Sequence, residues 1–294
     1  MPALAALIVV TAVWGVTFVQ VKDAVALYPL FAFLAVRFAI ASVVLAAPAA
    51  GRLRSLGRRG WVAGSALGLL LALGYALQTA GLERTTVSSA GFITGLYVVF
   101  TPLLALVLFR TRVAGAVWIG VALAVAGLAM LSGVGAGDPL GDLLVLLGSA
   151  AYSVQIVLME RYAPRYDAIA FTQAEMLAAF AGFAAVALAL GQLEVPRGWT
   201  VWGALLVTGI FASALGFLVQ TWAQRRISAA RTAIAFALEP VFAGIFGFWL
   251  AGDRLGAIGW GGCAVIMAGI AVAEPEAGRT LRRLVGRRED VANA

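Results

Sequence analysis

Gly74-Tyr75-Ala76-Leu77-Gln78-Thr79 recurs as Gly216-Phe217-Leu218-Val219-Gln220-Thr221, 142 positions further along the chain. The same offset pairs Leu96, Val99 and Phe100 with Leu238, Val241 and Phe242. It goes on to pair Arg112 with Arg254, Trp118 with Trp260, Gly120 with Gly262 and Gly127 with Gly269. Upstream, after a four-residue slip, an offset of 138 matches Trp14 with Tyr152 and Phe33 with Phe171. Chance does not hold one register this long with both tryptophans aligned. The chain is two related halves.

Each half is dense in apolar runs. Of 294 residues, 63% are hydrophobic and 12% are charged, a balance that would leave a soluble domain with large exposed apolar patches. The runs are roughly 18–23 residues long, which lets a helix cross a hydrocarbon core about 30 Å thick. Lipid offers the backbone no hydrogen bonds, so each run must close its own as a helix. The two-residue alternation of a membrane β-strand is absent. The expectation is an all-α membrane protein with ten transmembrane helices. The predicted spans are 3–21, 29–49, 61–81, 86–108, 115–133, 141–160, 168–190, 200–222, 232–250 and 256–273. Five spans per half is an odd number, so the second half should lie upside down relative to the first. The expected organisation is two inverted five-helix repeats, 1–134 and 135–274, followed by a basic cytoplasmic tail over 275–294.

The first run lacks a basic start and carries Trp14, Thr17 and Gln20, so it reads as a retained helix rather than a signal peptide. Cys263 is the only cysteine and reads as a small buried apolar residue. The chain has no histidine, which excludes a His-ligated metal, a Ser-His or Cys-His catalytic pair and an imidazole proton relay. No metal or cofactor is expected. Of the 21 Lys and Arg, 16 fall on the side that holds both termini; Lys22, Arg84, Arg197 and Arg254 fall opposite, and Arg37 lies within a span. The positive-inside rule then puts both termini in the cytoplasm of a bacterial-type inner membrane. The net charge of +7 is largely this bias, attracted to anionic headgroups, and needs no nucleic-acid partner.

Inverted repeats recur in secondary transporters, where two halves exchange conformations around one central site. Trp14-Gly15, the run Gly91-Phe92-Ile93-Thr94-Gly95-Leu96-Tyr97-Val98-Val99-Phe100 with Pro102, and Leu238-Glu239-Pro240-Val241-Phe242 with Gly252-Asp253-Arg254-Leu255 resemble one family. It is the EamA-type, ten-helix branch of the drug/metabolite transporter superfamily. The resemblance covers the whole chain and implies export of amino acids or other metabolites. It also implies a cavity lined mainly by spans 1–4 and 6–9. Spans 5 and 10 would be peripheral or at a dimer contact, giving a monomer or homodimer. Val98 stands where the second half has Pro240, so a hinge at that position is proposed only for the ninth span; Pro102 is the other hinge candidate.

Polar groups within lipid are costly and face the bundle interior. The third span puts Leu71, Gly74, Tyr75 and Gln78 on one face, and the eighth puts Ser213, Gly216, Phe217 and Gln220 on the matching face. The glycines allow close approach, the rings make a wall, and each glutamine both donates and accepts. The competing reading is helix packing, with each Gln bonded to a neighbouring backbone. Trp14 and Thr17 on the first span and Tyr152 and Gln155 on the sixth extend the candidate substrate site. Trp14 is near mid-span, unlike the interfacial belt of Trp61, Trp118, Trp199, Trp202 and Trp260. Tyr97 and Glu239 hold equivalent places in the two halves. Glu239, about 10 Å into its span, is the candidate proton-linked or amine-binding group; the alternative is a local hydrogen bond where Pro240 removes a backbone donor. Arg37 and Glu175 are also equivalent. Arg37 reads as a clamp for a substrate carboxylate, or as a side chain snorkelling outward while Glu175 pairs with a cytoplasmic Arg.

The functional expectation is a secondary transporter that exports amino acids, including aromatic or large apolar ones, or related small metabolites, by alternating access. A nucleotide-sugar or cationic-drug carrier of the same superfamily is the alternative, and a membrane scaffold or sensor is the rival of another class. An intramembrane enzyme would need a nucleophile with its base, a carboxylate pair or a metal cluster, and a channel a filter or charged ring; neither pattern is present.

Overall fold

The computed structural model describes residues 2–85, 87–132, 138–246 and 256–273, and all regular structure among them is helical. The first half holds α1 (Pro2–Val25), α2 (Leu30–Ala49), α3 (Gly57–Arg84), α4 (Val87–Gly95), α5 (Tyr97–Phe109) and α6 (Gly115–Ser132). The second holds α7 (Pro139–Tyr162), α8 (Ala168–Ala189), α9 (Trp199–Val207), α10 (Gly216–Gln224), α11 (Ala229–Phe236), α12 (Glu239–Phe246) and α13 (Ala257–Ala273). Among the described residues, seven helical stretches are long and apolar enough to cross a membrane, and Gly115–Met130 and Ala257–Ala273 are apolar but shorter. The predicted tail, the Gly252–Leu255 motif and the last turn of the span predicted over 232–250 lie outside the described residues.

Local chemistry accounts for several helix ends. The Asp138 carboxylate accepts from the Leu140 amide ahead of Pro139, and Asp167 accepts from the Ile169 and Ala170 amides, so each caps a helix start. Ser228 does the same for α11 through the Arg231 amide. Arg110 closes α5 in the left-handed conformation, with φ of 51°.

Three spans predicted as continuous are interrupted. The span over 86–108 breaks at Leu96, between α4 and α5, and the span over 232–250 breaks at Ala237–Leu238, between α11 and α12. The second break has a plain cause: Glu239 and Pro240 open α12, where a proline's missing N–H would have had no partner in any case. At the first break the chain tightens, the Leu96 amide bonding to Ile93 and the Val99 amide to Leu96. Pro102 is not at that break but inside α5. Of the two hinge candidates, only Pro240 adjoins an interruption. The span over 200–222 contains a π-helical segment, Thr208–Leu215, between α9 and α10.

The outside of the bundle is apolar, and the interior sets buried polar side chains among its apolar core. Val9, Val43, Val107, Ile119 and Leu188 are exposed, while Gln78, Gln155, Thr172, Ser213 and Gln220 are buried. That distribution suits a hydrocarbon solvent. The α3 helix packs on α7 and α8, α2 packs on α8, and α1 runs against α9 to α12. Beside α4 and α11, α6 and α13 form a close pair. A Cβ at Gly120 would lie 2.7 Å from the Gly269 carbonyl oxygen, and one at Gly127 would lie 2.6 Å from that of Gly262. Gly120 and Gly127 therefore meet each other's counterparts in the repeat, crosswise.

Gly127→Ala should destabilise the detergent-solubilised protein by about 1–3 kcal/mol, since backbone atoms cannot yield to the added methyl. Gly115→Ala, where a Cβ meets nothing within 4 Å, should leave the thermal midpoint unchanged.

Candidate functional site

A cavity lies between α1, α3, α7, α10 and the two interrupted helices. Trp14, Leu71, Ile156, Phe217 and Phe236 give it an apolar wall, and Tyr75, Gln78, Thr94, Tyr97, Tyr152, Gln155, Gln220 and Glu239 give it polar groups. The Trp14 ring lies 4.8 Å from Phe236 and 5.5 Å from Phe217, centre to centre. Its indole N–H donates to the Ala212 carbonyl at 2.8 Å, so the π-helical segment helps hold the ring across the bundle. This places Trp14 in the interior and not in an interfacial belt.

The two glycines of the opening motif lie behind the wall rather than on it. A Cβ at Gly74 would lie 2.5 Å from the Tyr152 ring, and one at Gly216 would lie 3.0 Å from Trp14 Nε1. Each glycine thus makes room for an aromatic ring from the other half. Gly74 and Gly216 do not line the cavity, because without a side chain their role is to let that ring approach.

Two hydrogen-bonded clusters supply the polar groups. In the first, Gln78 accepts from the Tyr152 hydroxyl at 2.9 Å and donates to Thr94 Oγ1 at 2.9 Å, while Ser149 donates to the Thr94 carbonyl. In the second, Gln220 donates to Gln155 at 3.0 Å and to Gln224 at 2.9 Å. Gln155 in turn donates to Glu175 at 2.7 Å, and Gln224 donates to the Ile156 carbonyl. Gln220 Oε1 and Glu175 Oε2 are buried without a partner. Both glutamines of the repeated motif bond side chains, so the reading in which each caps a backbone group is corrected.

The charged residues also depart from the simpler expectations. Arg37 does not snorkel: it is 3% exposed, its Nε donates to Ser213 and its Nη2 to the Tyr75 hydroxyl. Glu175 is fully buried and bonds Gln155 rather than a cytoplasmic Arg. Glu239 accepts from the Tyr97 hydroxyl at 3.3 Å, a contact between the equivalent positions of the two halves, and not a local bond beside Pro240. A second limb beside it shares Trp14, Tyr75, Gln78 and Glu239 and adds Thr17, Phe18, Val21 and Arg37. Thr17 thus belongs to this second limb, with its hydroxyl turned back to the Trp14 carbonyl.

Sequence reasoning passed over Ile156 and Gln224. Ile156 follows Gln155, and Gln224 lies one helical turn beyond Gln220, so both were within reach of the spacing that found their neighbours. Gln155→Leu removes the donor to Glu175 and the acceptor for Gln220 together. It should lower stability by about 1–3 kcal/mol in thermal unfolding, more than Gln78→Leu, which leaves only neutral groups unpaired.

The model of the EamA-like transporter family matches the chain twice, over residues 1–133 and 139–273. An uncharacterized transporter of Archaeoglobus fulgidus is 30% identical over 273 residues, 90% of this chain and 83% of the relative. The uncharacterized inner membrane transporter YedA of Escherichia coli K12 is 28% identical over 278 residues, 91% of this chain and 89% of the relative. One crystal structure superposes with a TM-score of 0.76 at 22% identity, over 95% of this chain and 98% of that one, a likeness of fold. With an apolar exterior, a polar interior cavity and both halves matched, this chain is a multi-pass membrane transporter and belongs to the EamA-like transporter family.

Proposed function

We propose that the protein exports amino acids with aromatic or large apolar side chains, or closely related small metabolites, by alternating access. The observation that carries this reading is the composition of the cavity: amide groups from both halves beside a wall of Trp14, Phe217 and Phe236. Uncharged groups that donate and accept suit a polar solute with no large net charge, and the rings suit its apolar part. A dianionic nucleotide sugar would want several inward cations, and among the described residues Arg37 is the only Lys or Arg lining either central limb.

In this proposal the chain has ten spans arranged as two inverted repeats of five, with both termini cytoplasmic. The crosswise contacts support it: Gly74 with Tyr152 and Gly216 with Trp14, Gly120 with Gly269 and Gly127 with Gly262. Equivalent residues exchange partners in the way a two-fold relation between halves requires. The candidate site is Trp14, Tyr75, Gln78, Tyr97, Tyr152, Gln155, Phe217, Gln220 and Glu239, with Thr17 in the second limb. Gln78 and Gln220 bond the solute, the rings enclose it, and the interrupted helices at Leu96 and Leu238 move as it passes.

Counterflow in proteoliposomes tests the reading: each unlabelled amino acid is loaded in turn and uptake of trace label is followed at equal pH. A subset should drive accumulation. Gln78→Ala and Gln220→Ala should each weaken apparent affinity about fivefold, the equivalent of one hydrogen bond of about 1 kcal/mol. No response to any amino acid from folded protein would reject the substrate class. Unchanged kinetics in both variants would reject the site.

A further inference from the structure

Arg37 and Glu239 are both buried, both line the second limb of the cavity, and neither is in an ion pair among the described residues. The ion pairs among the described residues are Arg52–Asp167 and Arg84–Asp138, on partly exposed side chains. Unpaired charge in a low-dielectric interior is costly, and opposite charges on one small cavity attract. No ion pair joins these two among the described residues, and each is bonded to an uncharged group instead. Arg37 Nε donates to Ser213 Oγ at 2.8 Å and Nη2 to the Tyr75 hydroxyl at 3.0 Å, with the Tyr75 ring centre 4.5 Å from the guanidinium carbon. Glu239 Oε2 accepts from the Tyr97 hydroxyl at 3.3 Å. Arg37 Nη1 and Glu239 Oε1 have no hydrogen-bond partner among the described residues.

We infer that Arg37 and Glu239 form a two-point clamp for a zwitterion, Arg37 taking the α-carboxylate of an amino acid and Glu239 its α-ammonium. The lining fixes the orientation. Arg37 borders only the second limb, the aromatic wall of Phe217 and Phe236 borders only the first, and Glu239 borders both. The carboxylate therefore lies in the limb beside Thr17 and Phe18, the ammonium at the junction, and the side chain against the rings. Guanidinium meets carboxylate in a planar fork of charge-assisted hydrogen bonds, and an ammonium needs only an acceptor with a free lone pair. Glu175 does not compete for the ammonium: it is fully buried, borders neither limb and already accepts from Gln155. The clamp deepens the amino-acid reading and rests on it.

The test sets three inhibitors against counterflow of the best amino acid: that amino acid, its decarboxylated amine, and the acid that lacks the amino group. In the wild-type protein each analogue should compete at least about tenfold more weakly than the amino acid, having lost one charge-assisted contact. Arg37→Gln should bring the amine to within about twofold of the amino acid and leave the acid weak, and Glu239→Gln should do the reverse. A packing role would weaken all three alike, and that result overturns the clamp. So does a wild-type protein on which either analogue competes as well as the amino acid, a comparison that needs no folded variant. Amino-acid counterflow with unchanged inhibitor ratios removes the clamp alone. Absence of amino-acid counterflow removes the parent reading and the clamp together.

Discussion

Hydrocarbon offers a polar side chain no hydrogen bond, so every such group on a membrane helix must find its partner inside the protein or border a wet cavity. Much of this structure follows from that constraint. Val43, Val107 and Ile119 face outward, while Arg37, Gln155, Glu175 and Gln220 are turned inward and bonded to one another or to neighbouring hydroxyls. Many buried hydroxyls, those of Thr11, Ser42, Ser153 and Thr208 among them, bond a carbonyl one turn back on their own helix. Several of the inward polar groups, Arg37, Gln78, Gln155, Gln220 and Glu239 included, line the two central limbs.

Bringing those groups together requires helices closer than ordinary side chains permit, and the glycines provide this at specific crossings. Gly74 and Gly216 admit the rings of Tyr152 and Trp14, which sets the width of the cavity. The backbone is irregular in the same region. Thr94 and Tyr97 flank the interruption at Leu96, and Phe236 and Glu239 flank the one at Ala237–Leu238, so all four line the cavity from helix ends. Non-helical backbone at membrane depth is tolerated where it borders protein or a cavity and not lipid. The α6–α13 pair, which packs on the outer side of the interrupted helices, is by contrast regular and comes closest at glycines.

The two halves share a scaffold but not its charges. Gln78 and Gln220 are equivalent, yet one is bonded into a Tyr–Thr cluster and the other into a chain of amides ending on Glu175. Tyr97 faces its counterpart Glu239, and Arg37 has Glu175 as its counterpart in the repeat. A duplicated frame supplies matched walls, and substitution at equivalent positions makes the cavity electrically polar. A cavity with two different ends can tell one end of a solute from the other.

The amino-acid sequence by itself determined the helical membrane class, the two related halves and most of the residues that border the cavity. These are properties of composition and periodicity, which act along the chain: an apolar run must be a helix in lipid, and Tyr75 and Gln78 share a face because they are three residues apart. What each polar group would bond lay beyond its reach. Arg37 meets Ser213, Gln155 joins Glu175 to Gln220, and Trp14 reaches Ala212 across 198 positions of chain. Such partners are chosen by how helices cross, through close approaches at glycines and a π-helical turn that no local spacing announces. For the same reason the spacing marked Gly74 as a point of close approach, whereas only the crossing shows that Tyr152 is what approaches it. Position on a helix face follows from sequence, but the group opposite that face is decided only when the helices pack.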